Sequence, residues 1–223
     1  AFYHENVMGT SLELRVRADS EAAANRAEAA VLGEIDRLAA IFSSYESESE
    51  FSRWQRMKDR PVMISAELFS VLKAADAWRA KSNGAFDPRV QALTRLWSSS
   101  AKAGRTPTYI ELTQVLGRMK RDAWSLDEST KTARSLSDCP LTLNAIAKGY
   151  IVERAAELAN REVRGVLLNV GGDIRACGET LRVIGIADPN RDSESTEPIA
   201  FLQVRDRSVA TSGSYQRGLW IEG

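Results

Sequence analysis

Apolar residues recur along this chain with two different periods, and the change from one to the other outlines its elements. Residues 11–18, SLELRVRA, alternate apolar and polar positions, the period of a half-buried strand. In the following stretch, SEAAANRAEAAVLGEIDRLAAIF, residues Ala27, Val31, Ile35, Leu38 and Phe42 fall on one face and predict a long amphipathic helix. A second helix starts from Ser65, a favourable N-cap, and carries Leu68, Leu72, Ala75 and Trp78, with Asn83 and Gly84 as its stop. Asp87 as N-cap and Pro88 at the first helical position open DPRVQALTRLW. Thr108 and Glu111 have capping-box spacing ahead of Leu112, Val115 and Leu116.

AWSLDESTKTARSL predicts a hairpin turning near Asp127 to Thr130, and GVLLNV, LRVIGIA and IAFLQVR read as apolar strands punctuated by Gly and Pro. Helices and strands are interspersed without strict βαβ alternation, so the class is α+β, a mixed sheet with packed helices. LNAIAKGYIVERAAEL, residues 143–158, is amphipathic through Ile146, Tyr150, Ile151, Ala155 and Leu158. Gly149 sits inside it, where alanine would favour the helix by roughly 1 kcal/mol.

Composition narrows the function. Among 223 residues, 30 Lys and Arg balance 30 Asp and Glu, which gives no electrostatic reason to expect nucleic acid or an acidic membrane as partner. No apolar run approaches the 18 residues that a membrane-spanning helix needs. The first residues, from Ala1, do not read as a signal peptide. Cys139 and Cys177 are too far apart for a CxxC site and are expected to be buried free thiols. The single histidine, His4, is expected to be a solvated terminal residue, so neither a Ser–His–Asp triad nor a histidine-rich zinc site is expected. No phosphate-binding loop of the Walker type occurs, and NVGGDIRACG departs from the dinucleotide glycine fingerprint.

The glycine-containing helix start is the most suggestive local chemistry. With Asn144 as its cap, first-turn N–H groups and the Lys148 ammonium would gather near one spot, an arrangement suited to an anion or phosphate. Gly149 would let a ligand or a strand come close to the helix backbone. A surface lysine and a packing glycine would read the same way. GAFDP is equally a plain helix start, and NVGGDIRACG equally a hairpin turn. MGTS, SSYESESE and VATSGSY each read singly as joints between apolar segments.

Taken in order, VMGTSLEL, FSSYESESEFSRW, GAFDPRV, LNAIAKGY, LNVGGDIRACG, IGIADP and VATSGSYQRG resemble the FAD:protein FMN transferases, the ApbE family, from about Val7 to Gly218. The resemblance implies an ApbE-like, T-fold-related α+β body of two lobes with a central FAD cleft, read as a single domain over residues 1–223. It implies Mg2+-dependent transfer of FMN from FAD to a threonine hydroxyl of an acceptor flavoprotein, with release of AMP, in the periplasm or at the cell envelope. By position it places Met8, Tyr45, Ala85, Phe86, Asp87, Thr142 and Lys148 at FAD, and gives the Ala145 carbonyl to the metal. It assigns no general base, and no role to Asn169 or Asp173.

Three departures accompany the resemblance. Thr142 stands where the family often has Asp, and Gln55 where it often has Asn. Family members continue beyond the TSG segment into a stretch with a histidine and with an Asp and a Thr that ligate the metal. The sequence here stops at LWIEG, so those ligands are expected to be missing. Two other functions compete with transfer: hydrolysis of FAD to FMN and AMP, and non-catalytic FAD binding.

Overall fold

The computed structural model describes residues 1–178, 181–188 and 197–212. In chain order its elements are β1 (Phe2–Val7), β2 (Thr10–Arg17), α1 (Glu21–Phe42), α2 (Glu50–Arg56), β3 (Pro61–Met63), α3 (Ala66–Lys81) and α4 (Gln91–Lys102). They continue with α5 (Tyr109–Met119), β4 (Trp124–Asp127), β5 (Thr132–Ser135), α6 (Asn144–Ala159), β6 (Gly165–Val170) and β7 (Asp173–Cys177). The last are β8 (Arg182–Ile186), β9 (Ala200–Val204) and β10 (Arg207–Val209). Pro189 of IGIADP, residues 213–218 of VATSGSYQRG and the LWIEG ending lie outside the described residues. This is the α+β architecture that the patterning predicts, and every strand pairing in its sheets is antiparallel.

The described residues form two compact units, Ala1–Leu38 with the residues from Lys148 onward, and Ala39–Ala147. The first unit is built on a five-stranded sheet in the order β1-β2-β6-β7-β10. Its register pairs Leu12 with Val170 and Leu14 with Leu168, so these side chains share one face. They are fully buried there, together with Ala27, Val31, Ile35 and Leu38 of the α1 stripe. Burying each Val, Leu or Ile contributes about 1.5–3 kcal/mol. Polar ties fix the helices to the same face. Glu28 of α1 bonds to His4 of β1 at 2.8 Å, and Glu153 of α6 reaches Arg175 of β7 at 3.1 Å and the hydroxyl of Ser208 at 2.8 Å. His4 is therefore paired and half-buried rather than a solvated terminal residue. A separate ribbon, β8 with β9, leaves Val183, Ile186, Phe201 and Leu202 exposed.

The second unit packs α2 to α5 with a small sheet ordered β3-β5-β4. Phe51 and Trp54, both buried, lie on α2, a helix that follows the joint SSYESESE and is capped by Ser49, which accepts from the Ser52 N–H. The Trp54 indole donates to the Ala133 carbonyl at 3.1 Å. Ser65 caps α3, and the Thr108–Glu111 capping box forms at α5. Trp78 departs from its expected place on the buried face of α3. It is 52% exposed, with the Lys81 ammonium 4.9 Å from its ring centre, because Leu68, Val71, Leu72 and Ala75 complete the buried stripe without it. Asp87 and Pro88 open a single 3-10 turn, Pro88–Val90, before α4 rather than one continuous helix.

Candidate functional site

In the first unit, two hairpin tips meet at one end of the five-stranded sheet. Met8 and Gly9 join β1 to β2 with φ of 50° and 75°, and Gly171 and Gly172 join β6 to β7 with φ of 53° and 89°. Two left-handed residues in a two-residue loop are the type I′ arrangement, whose twist matches that of the strands. NVGGD is thus a hairpin turn, and one with a neighbour. The Gly171 N–H donates to the Ser11 carbonyl at 3.1 Å, and the Thr10 side chain fills the space where a Cβ on Gly171 would stand. The Asn169 side chain accepts from the Gly172 N–H at 3.0 Å and holds the turn closed.

Lys148 of α6 places its ammonium on this tip, 3.2 Å from the Gly171 carbonyl and 3.1 Å from an Asp173 carboxylate oxygen, with both side chains mostly buried. The result is a partly desolvated ion pair seated on the hairpin tip, whose two glycine N–H groups are already engaged by Ser11 and Asn169. The sequence assigns no role to Asp173 or Thr10, and reads the two glycines only as a close approach of main chain to a ligand. The Gly-Gly pair was their visible trace, whereas the partnership with Lys148 spans two dozen residues and had no local signal.

In the second unit, the run Ala85, Phe86 and Asp87 follows the left-handed pair Asn83 and Gly84 that ends α3, as expected. Ala85 is exposed and Phe86 half-buried, its N–H held by the Ser82 hydroxyl at 2.9 Å. The Asp87 carboxylate is engaged inside the protein. One oxygen accepts from the Arg89 backbone N–H at 2.9 Å and from its Nε at 2.8 Å; the other accepts from Arg89 Nη2 at 2.5 Å and from Arg79 Nε at 3.1 Å. Burial alone would raise this carboxyl, but the hydrogen bonds and charge of Arg89, with Arg79, outweigh it and hold Asp87 below the usual carboxylate range.

Tyr45 is 81% exposed, and its hydroxyl accepts from the Asn144 side-chain amide at 2.8 Å. Asn144 therefore steers Tyr45 instead of capping α6, where it lies within the first turn. The Thr142 hydroxyl accepts the Asn144 N–H at 3.3 Å, and the Leu143 carbonyl accepts the N–H groups of Ile146 and Ala147 at 2.9 and 2.8 Å. These partners replace the open row of first-turn donors expected from the sequence. Thr142 donates its own N–H to the Pro88 carbonyl at 2.9 Å, and Gln55 accepts from the Leu141 N–H at 3.0 Å. Gln55 thus anchors the approach to α6. The face of α6 also shifts: Ala147, Ile151, Val152, Ala155, Ala156 and Ala159 are the buried positions, while Ile146, Tyr150 and Leu158 are only partly covered.

No group of three or more His, Cys, Asp or Glu side chains fit to hold a metal occurs among the described residues. Ala145 is exposed at the start of α6 and offers one backbone oxygen. Those residues do not by themselves make a Mg2+ site, which ordinarily needs carboxylates or substrate phosphates. Cys139 and Cys177 are buried free thiols, as expected. Burial pushes the Cys177 thiol up to about 11, against the opposing pull of Arg175. A shallow hollow on the small sheet, lined by Pro61, Ser125, Leu126, Asp127, Thr132 and Arg134, contains none of the residues expected at the site.

These features define an α+β protein that sets a lysine–aspartate ion pair on paired hairpin tips in one unit and displays an exposed, tethered tyrosine in the other. The sequence model of the ApbE family matches residues 8–223, and the chain belongs to that family. It is 28% identical over 218 residues to an FAD:protein FMN transferase of Klebsiella pneumoniae (strain 342), covering 96% of this chain and 66% of the relative. It is 31% identical over 191 residues to the FAD:protein FMN transferase of Chlamydia muridarum, covering 82% of this chain and 57% of the relative. The crystal structure of the ApbE protein of Thermotoga maritima MSB8 superposes with a TM-score of 0.81 at 27% identity, over 97% of this chain and 72% of that one. The chain thus spans less than two thirds of the length of these two transferases.

Proposed function

We propose that this chain carries the FAD-binding part of an FMN transferase, which moves the FMN portion of FAD onto a threonine hydroxyl of an acceptor flavoprotein. The observation that carries the reading is the Lys148 ammonium held on the Gly171–Gly172 tip, within a chain of the ApbE family. The Lys148 ammonium exchanges part of its contact with Asp173 and the Gly171 carbonyl for anionic phosphate oxygens. Met8 and Tyr45 offer a polarizable thioether and an aromatic face to the flavin ring. Ala85, Phe86 and Thr142 contact FAD chiefly through backbone and ring, while Asp87 shapes the turn that presents them.

In the reaction, the threonine oxygen gives up its proton to solvent and bonds to the FMN-side phosphorus, the bond from that phosphorus to the bridging oxygen breaks, and AMP leaves with that oxygen. Mg2+ is a further part of the proposal. Bound, it would offset the pyrophosphate charge, with Ala145 as its one protein oxygen among the described residues and FAD phosphates as its main partners. A periplasmic or envelope location, and a single functional domain over residues 1–223, complete the reading.

The test is intact-mass analysis of a threonine-containing acceptor domain after incubation with FAD and Mg2+, alongside AMP release. An FMN adduct on the acceptor together with AMP is expected from the protein at its full length. AMP without an adduct would make hydrolysis the activity. FAD binding with neither product would leave a binding module, and no FAD binding would overturn the reading.

A further inference from the structure

The side chain of Arg89 is 1% exposed, an uncommon place for a guanidinium, and the proposed chemistry does not use it. Removing this charge from water costs several kcal/mol unless its hydrogen bonds are satisfied. Here they converge on one loop. Nε and Nη2 grip the two oxygens of Asp87 in a fork, and Nη1 donates to the Arg121 carbonyl just beyond α5. Arg79 supplies one more donor, and the Arg89 backbone N–H another. A carboxylate has about four lone-pair positions. Asp87 therefore has none left for a ligand.

The fork acts on the next residue. Pro88, between the two partners, is buried, and its carbonyl receives the Thr142 N–H. Thr142 in turn accepts from the Asn144 N–H, and the Asn144 amide holds the Tyr45 hydroxyl. We infer that Arg89 is a positioning residue, whose buried fork fixes the Asp87–Pro88 turn and through the Pro88 carbonyl sets the Thr142 backbone at the entrance to α6. This inference rests on the FAD reading only for what that backbone then binds.

The charged groups facing Asp87 are Arg89 and Arg79 of α3. The next charges are Asp76, which interacts with both guanidiniums, and Asp122, which faces Asp76. Without Arg89, burial acts on Asp87 opposed only by Arg79 and the backbone N–H. Its carboxyl then takes up a proton nearer neutral pH.

The experiment compares wild type, Arg89→Met and Arg89→Lys by amide hydrogen exchange at Thr142 and by FAD titration between pH 7.5 and 5. For Arg89→Met, Thr142 protection should fall at least about tenfold while the β6 amides keep theirs. Its FAD affinity should weaken about tenfold more at pH 5 than at pH 7.5, against a flat wild-type profile. Arg89→Lys keeps the charge but not the fork, and should recover the flat profile with weaker binding. Unchanged Thr142 protection in Arg89→Met overturns the inference, as does a uniform, pH-independent loss shared by both variants. If Arg89→Met does not fold, Thr142 exchange in Arg89→Lys decides. If wild type fails to bind FAD, the functional reading falls, while Thr142 exchange still judges the positioning role.

Discussion

Gly149 is the place where stability and ligand binding should pull apart most cleanly. It lies inside α6 and is exposed, and an added Cβ would meet no described atom within 4 Å. The fold therefore offers no packing reason for glycine at this position. Gly149→Ala removes a helix-interior glycine and should stabilise the protein by about 0.5–1 kcal/mol. At this chain length that raises the melting temperature by about 2–4 °C per kcal/mol. If FAD approaches the helix here, the same methyl group intrudes on the ligand. Overpacking of about 1–3 kcal/mol would then weaken binding by roughly 5- to 150-fold. Thermal unfolding by circular dichroism without flavin and an FAD fluorescence titration read the two effects separately. A higher melting temperature with unchanged FAD affinity would refute the ligand-approach reasoning. A lower melting temperature would refute the structural premise of open space.

Gly171→Ala is expected to behave in the opposite way. Its Cβ would collide with Thr10 Oγ1 and stand 2.7 Å from Cγ2, at a φ of +53°. Left-handed backbone costs about 1–2 kcal/mol and the clash about 1–3 more, so urea unfolding should show a loss of about 2–5 kcal/mol, partly recovered by adding Thr10→Ala. No recovery in the double variant would mean that the two tips do not touch. Cys139 and Cys177 should both resist a thiol reagent at pH 8 and react together once urea unfolds the chain; fast labelling of the native protein would contradict their burial.

Local signals carried most of the elements. The 3.6-residue stripe of α1, the Ser65 cap, the Thr108–Glu111 box and the run GVLLNV each express a preference that their neighbours in sequence satisfy. Elements whose stability comes from distant partners were illegible. α2 exists because Phe51 and Trp54 find a core, with the Trp54 indole bonded to Ala133. The same division holds for the site. Lys148 and the Gly-Gly turn were visible as residue types, but the Asp173 partner of Lys148 follows from strand register. Asn144 shows how a good local rule loses: its amide could have capped the helix, yet a tyrosine 99 positions away claims it. Arg89 carried no signal, because a buried arginine looks in sequence like any surface one.

Met8 has a consequence for anyone who alters this protein. Its left-handed backbone, φ of 50°, would suit glycine or asparagine better. Gly149 sits in a helix that would favour alanine. Selection for thermal robustness alone would thus replace a side chain with a hydrogen at one proposed flavin contact and a hydrogen with a methyl group at a proposed ligand approach. Directed evolution scored on heat survival would drift away from the ligand while every surviving variant looked improved. Libraries built on this chain need flavin retention as a criterion from the first round.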